Sequence, residues 1–186
     1  MKAFKISLLA SLLLLPVAVS ARAADLAPDV TADNSEAMGL YLRGDLGWSF
    51  LQWSGGSDDS ALSLGGGVGY RFNDNMRADL TVDWAGDYKV APGADLSTTT
   101  VLGNLYFDWA NDTPFTPYVG AGLGYGWVDN TPSGDHSGIA YGLAAGVSMD
   151  VTQNVAVDLG YRFRDTMISG SDPLEHQIVA GVRFSF

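Results

Sequence analysis

The stretch "YVGAGLGYGW", Tyr118 to Trp127, has glycine at every second position: Gly120, Gly122, Gly124 and Gly126. Between them stand Ala121, Leu123, Tyr125 and Trp127. A period of two belongs to a β-strand, whose successive side chains point to opposite faces. One face of this segment is therefore bare and the other apolar. A phosphate-binding loop is the competing reading, and it fails on spacing. Counted as G-x-G-x-x-G from Gly120, the last place is Tyr125; counted from Gly65, it is Tyr70. Neither run opens a helix, as that motif requires.

The same alternation recurs eight times, over about 40–50, 61–72, 76–88, 98–109, 118–127, 139–151, 155–164 and 175–186. In the first, Leu40, Leu42, Leu46, Trp48 and Phe50 share one parity, against Tyr41, Arg43, Asp45 and Ser49. In the last, Ile178, Ala180, Val182, Phe184 and Phe186 oppose Glu175, Gln177, Arg183 and Ser185. Repeated alternation over about ten residues is the strand signal, and no helical period appears after residue 38. Three connections, "NDN" at 73–75, "NDTP" at 111–114 and "TQN" at 152–154, have tight-turn chemistry. The other four, near 51–60, 89–97, 128–138 and 165–174, read as loops of about nine to eleven residues. Short turns on one rim, longer loops on the other and an even strand number describe an outer-membrane barrel.

A soluble barrel would hide its apolar parity inside, and the aromatic residues argue against that. Of the 20 aromatics after residue 23, 15 lie on the apolar parity. An eight-stranded barrel has room only for its own small side chains. The rings are also sorted. Trp48, Phe50, Trp84, Tyr88, Tyr125, Trp127, Tyr141, Tyr161 and Phe163 fall beside the long loops. Tyr70, Phe72, Phe107, Trp109, Phe184 and Phe186 fall beside the short turns. Two aromatic girdles around an aliphatic band mark the two interfaces of a bilayer. The expected fold is all-β: an eight-stranded antiparallel up-and-down transmembrane β-barrel.

The other parity then lines the lumen with Arg43, Asp45, Arg71, Arg77, Asp79, Asp83, Asp108, Asp150, Asp158, Arg162, Glu175 and Arg183. Buried charges need partners and hydrogen bonds, and the mixed signs here allow a charge network. The bare wall of Gly120–Gly126 is expected to receive arginines from facing strands, such as Arg43, Arg71 or Arg162.

The N-terminus reads differently. Lys2 and Lys5 precede an apolar run from Ile6 to Val19, and Ala21-Arg22-Ala23 offers a cleavage site. Residues 1–23 are the expected signal peptide, too short in its apolar run for a membrane span. Residues 24–38 are acidic and aperiodic, the expected flexible tail, and 39–186 the barrel. Removing Lys2, Lys5 and Arg22 leaves 7 Lys and Arg against 21 Asp and Glu, a net charge of -14. Such a chain repels nucleic acid. It has no cysteine and no cofactor motif.

The segments "GLYLRGDLGWSF" and "TPYVGAGLGYGW", the Gly-Tyr-Arg-Phe at 69–72 and Gly-Tyr-Arg-Phe at 160–163, and the terminal "VAGVRFSF" give the barrel a family likeness. It resembles the small eight-stranded outer-membrane proteins of the OmpA-type and opacity-protein families, and most of all the porin-like outer-membrane immunogenic proteins of alphaproteobacteria. The resemblance implies a Gram-negative outer membrane, with outer-membrane lipid, lipopolysaccharide and the barrel assembly machinery as partners. It also implies that Phe186, with Phe184, is the assembly signal. The expected function is a non-enzymatic barrel that supports the envelope and presents short acidic loops, with a surface or host ligand open. A small gated channel is the alternative.

A lipid A-modifying enzyme is the second alternative. Asp135, His136 and Ser137 are adjacent, and neighbours on an extended chain point opposite ways, whereas a triad needs convergence. His176 lies on the lipid-facing parity. No metal-ligand spacing is present. The loop acids Asp58, Asp59, Asp95, Asp129, Asp135, Asp165 and Asp172 could share divalent cations with lipid phosphates.

Overall fold

The computed structural model describes residues 39–52, 59–91, 94–131, 136–167 and 174–186. The expected signal peptide and tail lie outside the described residues. Eight strands follow in order: β1 (Gly39–Gln52), β2 (Asp59–Asn73), β3 (Met76–Ala91), β4 (Ala94–Asp108), β5 (Phe115–Thr131), β6 (His136–Asp150), β7 (Val155–Thr166) and β8 (Leu174–Ser185). Each pairs antiparallel with the next, and β8 closes on β1. An up-and-down closed barrel results, with no strand edge left open along the shared ladder.

The alternation becomes a division between two surfaces. Along β1, residues 41, 43, 45, 47, 49 and 51 are buried, and Leu40, Leu42, Leu46, Trp48 and Phe50 are exposed. The exposed set forms a continuous apolar belt, including Leu64, Val68, Leu80, Leu105, Leu123, Leu143, Leu159 and Val182. A water-soluble protein does not leave such a surface bare.

Side-chain-to-backbone bonds close the short turns. The Asn75 amide donates to Asn73 Oδ1 at 2.9 Å, and the Thr113 amide to Asn111 Oδ1 at 2.8 Å. Asn111 Nδ2 donates to the carbonyls of Trp109 and Phe115, both at 3.0 Å, tying the ends of its turn together. In the third turn the Val155 amide donates to Thr152 Oγ1 at 3.0 Å. Asparagine and threonine here act as local substitutes for backbone acceptors.

Two expectations are corrected. The four connections at the other end are shorter than nine residues, because the strands run on to Gln52, Ala91, Thr131 and Thr166 before their partners begin. Polar residues such as Lys89, Asp95 and Ser97 look like loop in the sequence but sit in continued ladders. Tyr88 does not belong to the outer girdle. Ala85 pairs with Thr98 but Tyr88 pairs with Leu96, so β3 advances three residues while β4 advances two. This β-bulge inserts one residue and reverses the parity beyond it. Tyr88 therefore turns into the lumen and is fully buried.

The glycine wall also receives different neighbours from those expected. A Cβ at Gly120 would collide with the Tyr106 ring and one at Gly122 with the Asn104 amide, both from β4. On the adjoining strand, a Cβ at Gly146 of β6 would meet Cζ of its register partner Tyr118 at 2.7 Å. Tyrosine and asparagine from the adjoining strands lie flat on the bare wall. Arg162 enters only at the edge, lining a small cavity with Asn104, Gly122 and Gly142.

Two substitutions on neighbouring residues separate the faces. Gly122→Leu drives four carbons into Asn104, and overpacking of this kind costs about 1–3 kcal/mol or more. Ala121→Leu adds three carbons to the exposed face. Refolded in detergent and run unheated on SDS gels, Ala121→Leu is expected to give as much fast-migrating folded barrel as the wild type, and Gly122→Leu much less. Equal yields would contradict the assignment of faces.

Candidate functional site

Strand register orders the lumen into layers. At the short-turn end, Asp108 receives two arginines: Arg77 Nε at 2.9 Å and Arg71 Nη1 at 3.3 Å. On the facing wall Arg183 Nε meets Asp158 at 2.9 Å, and its Nη2 donates to Ser148. The Arg77 guanidinium sits 4.2 Å from the Tyr106 ring centroid and 5.0 Å from that of Tyr118, a cation–π contact on each side.

The middle layer is centred on Arg43. Its Nη2 meets Asp45 at 2.8 Å and its Nη1 meets Asp79 at 2.9 Å. The same Nη1 donates to the Tyr106 hydroxyl at 2.9 Å, and the Tyr41 hydroxyl donates to Asp79 at 3.2 Å. Asn104 Nδ2 donates to the other Asp79 oxygen at 2.8 Å. Both carboxylate oxygens and the guanidinium fork are engaged, as a buried ion pair requires.

Arg162 joins this layer to the next, reaching Asp83 at 2.7 Å and Asp45 at 3.4 Å. Above it Arg164 lies 3.1 Å from the second Asp83 oxygen and 4.0 Å from Glu175. Thr98 Oγ1 and Gln177 Nε2 donate to Glu175, at 2.5 and 3.2 Å. Beyond the ions the lumen ends in an apolar cluster: Leu51, Ala61, Ala85, Tyr88, Leu96 and Val128.

The lumen thus brings together Arg43, Asp45, Arg71, Arg77, Asp79, Asp83, Asp108, Asp158, Arg162, Glu175 and Arg183. Asp150 is not buried with them; it is exposed at the end of β6. Arg164, the last position of the expected seventh strand and on the parity of Asp158 and Arg162, joins the network although the expected charge set does not include it. Sequence reading also missed the inward tyrosines Tyr41, Tyr106 and Tyr118 as network members. Their parity was the available signal, since an inward ring in a charged lumen needs a hydroxyl. The apolar cluster had no signal, because it depends on the bulge.

The girdle residues Trp48, Phe50, Trp84, Tyr125, Trp127 and Tyr161 are exposed on the outside, and Phe163 is half-buried beside them. Tyr70, Phe72, Phe107, Trp109, Phe184 and Phe186 are exposed at the opposite end. Rings stack in pairs along single strands, as Tyr125 with Trp127 and Phe184 with Phe186, each with centroids 5.2 Å apart.

Ser137 and His176 each pair with a tyrosine of the outer face. Ser137 Oγ lies 3.0 Å from the Tyr125 hydroxyl, and His176 Nδ1 bonds the Tyr161 hydroxyl. Asp135 lies outside the described residues. Asp165, expected in a loop, is buried in β7 and accepts from the Tyr141 hydroxyl at 2.7 Å. Among the described residues no group of three or more His, Cys, Asp and Glu could hold a metal ion.

The Arg77–Asp108 pair is 1% exposed on both sides, so its loss leaves an uncompensated charge. Asp108→Leu and Arg77→Met are each expected to lower stability by about 3–5 kcal/mol, and the two together by less than their sum, with Arg71 still losing its contact to Asp108. Urea unfolding midpoints in detergent micelles, followed by tryptophan fluorescence, measure both. An additive double variant would mean that the two side chains act independently.

Known proteins place this architecture. Residues 8–186 match the family model described as outer membrane protein beta-barrel domain. An uncharacterized protein of Brucella abortus is 32% identical, with 67% of each chain covered. The outer membrane protein PagN of Salmonella typhimurium is 26% identical, over 72% of this chain and 77% of its own. The crystal structure of Neisserial surface protein A superposes with a TM-score of 0.72 at 25% identity, covering 80% of this chain and 97% of that one. Its belt, lumen and closed strand order make the chain a protein of the outer membrane, and it belongs to the outer-membrane β-barrel family.

Proposed function

We propose that this protein is a non-enzymatic barrel that supports the outer membrane and presents short acidic connections at the cell surface. The observation that carries this reading is the sorting of charge. Of the seven Lys and Arg between 24 and 186, six (Arg43, Arg71, Arg77, Arg162, Arg164 and Arg183) line the lumen. Six acids, Asp45, Asp79, Asp83, Asp108, Asp158 and Glu175, are buried with them. The lumen is neutral as a whole. Only Lys89 remains to offset Asp58, Asp59, Asp87, Asp95, Asp129, Asp135 and Asp172 at or between the strand ends opposite the short turns.

A rim so charged selects cationic surfaces, or joins lipopolysaccharide phosphates through divalent cations held by hydrated carboxylates. Cation bridging of this kind strengthens an outer leaflet, which is the sense in which the barrel supports the envelope. Export with removal of residues 1–23, and recognition of Phe186 by the assembly machinery, belong to the same proposal.

The state of the lumen favours this reading over a gated channel. Two cavities there have volumes of about 10 Å³ each, one lined by Arg43, Asp45, Tyr118 and Asp158, the other by Asn104, Gly122 and Arg162. Each has room for about one water. Planar-bilayer recordings of the refolded barrel are expected to show no conductance steps; regular unitary steps would establish the channel instead.

The chain has no cysteine, so introduced thiols report orientation cleanly. Asp129→Cys lies at the outer end of β5 and Asp112→Cys in a short turn, and both positions are exposed. A membrane-impermeant maleimide should label the first on intact cells and the second only after lysis. The reverse pattern would place the acidic rim in the periplasm. Lipid A mass spectra are expected to be identical with and without expression of the protein, and a new acyl species would revive the enzyme.

A further inference from the structure

Three tyrosines of the outer girdle stand on consecutive strands, and each hydroxyl is tied to a polar group on the next strand. Tyr125 of β5 bonds Ser137 of β6 at 3.0 Å. Tyr141 of β6 bonds Asp165 of β7 at 2.7 Å. Tyr161 of β7 bonds Nδ1 of His176 of β8. All six residues lie on the outward parity, as their register with Ile139, Leu143 and Ile178 shows, with Asp165 buried beside the Tyr141 hydroxyl. On β1 and β3 the same level is filled by Trp48, Phe50 and Trp84, which carry no hydroxyl. One half of the outer girdle is thus a polar belt, and the other half is plain aromatic.

We propose that this belt binds the phosphorylated sugar headgroup of an outer-leaflet glycolipid, with the phosphate at His176. The first reason is depth. Aromatic girdles sit at the headgroup level, and this one lies at the end opposite the short turns and the chain terminus. The second is chemistry. His176 packs at a tilt of 56° against Phe163, with centroids 5.4 Å apart, which holds the ring at the barrel wall. In the tautomer whose Nδ1 accepts from the Tyr161 phenol, the ring proton stands on Nε2, a donor for an acceptor-only phosphate oxygen. The third is charge. The strand ends around it carry acids, so His176 is one of few groups there able to meet a phosphate directly. The Tyr125–Ser137 pair, two strands away, offers hydroxyls that suit sugar hydroxyls. The inference rests on the outward orientation of this rim, which the thiol labelling reads separately.

The chain has two histidines, so histidine-selective labelling gives two imidazole signals, His136 and His176. The full barrel is placed in phosphatidylcholine nanodiscs, and diphosphoryl lipid A or phosphatidylglycerol is added. Lipid A is expected to move the His176 signal and phosphatidylglycerol not to. In native mass spectra, Tyr161→Phe and His176→Phe should each retain about fivefold less lipid A than the wild type, the size of one exposed charge-assisted hydrogen bond. Heat-modifiable migration confirms that both variants fold. Equal movement by phosphatidylglycerol overturns the glycolipid assignment, and a His176 signal indifferent to both lipids overturns the site.

Discussion

Everything in this molecule follows from the backbone's need for hydrogen-bond partners where no water is available. An unpaired amide in hydrocarbon costs several kcal/mol, so strands can cross a bilayer only in a closed ring. Closure by β8 on β1 meets that requirement along the whole ladder. It also gives each strand two different solvents, lipid on one face and its own lumen on the other. The period of two in the sequence is the imprint of these two environments.

Closing a ring of only eight strands makes the lumen narrow, and this sets its chemistry. Long side chains must lie along the walls, so they need bare stretches to lie on. Glycine supplies these at the positions under Tyr106, Asn104 and Tyr118. Charges in the remaining volume need opposite charges beside them, and Arg43, Arg162 and Arg164 each reach carboxylates on two strands at once. Arg43 with Asp45 and Asp79, and Arg162 with Asp83 and Asp45, act as cross-links between distant strands. Packing and electrostatics therefore share one set of residues.

The sequence made the strand number, the faces and the girdles legible because parity is local and repeats. Arg43 and Trp48 could be assigned to their surfaces from five residues of context. Tyr88 could not, since one added residue at the bulge reverses its face without disturbing the apolar pattern. The strand ends were misread for a related reason: above the membrane, water rewards polar residues on both faces, and the alternation fades while the ladder continues. Which arginine meets which acid was also hidden. Arg162 and Asp83 are 79 positions apart, and only the register of the closed ring brings them together.

The inward charges act before the barrel exists. An exported chain must pass the inner membrane without being held there, and a segment of about 20 apolar residues would be held. Charged and polar lumen residues, with glycine on β5 and β6, break up the apolar parity of the strands, so no stretch of the barrel sequence is apolar for long enough to stop. The ions that fill the finished lumen thus keep the unfolded chain mobile on its way to the outer membrane, and the two tasks fall on the same side chains.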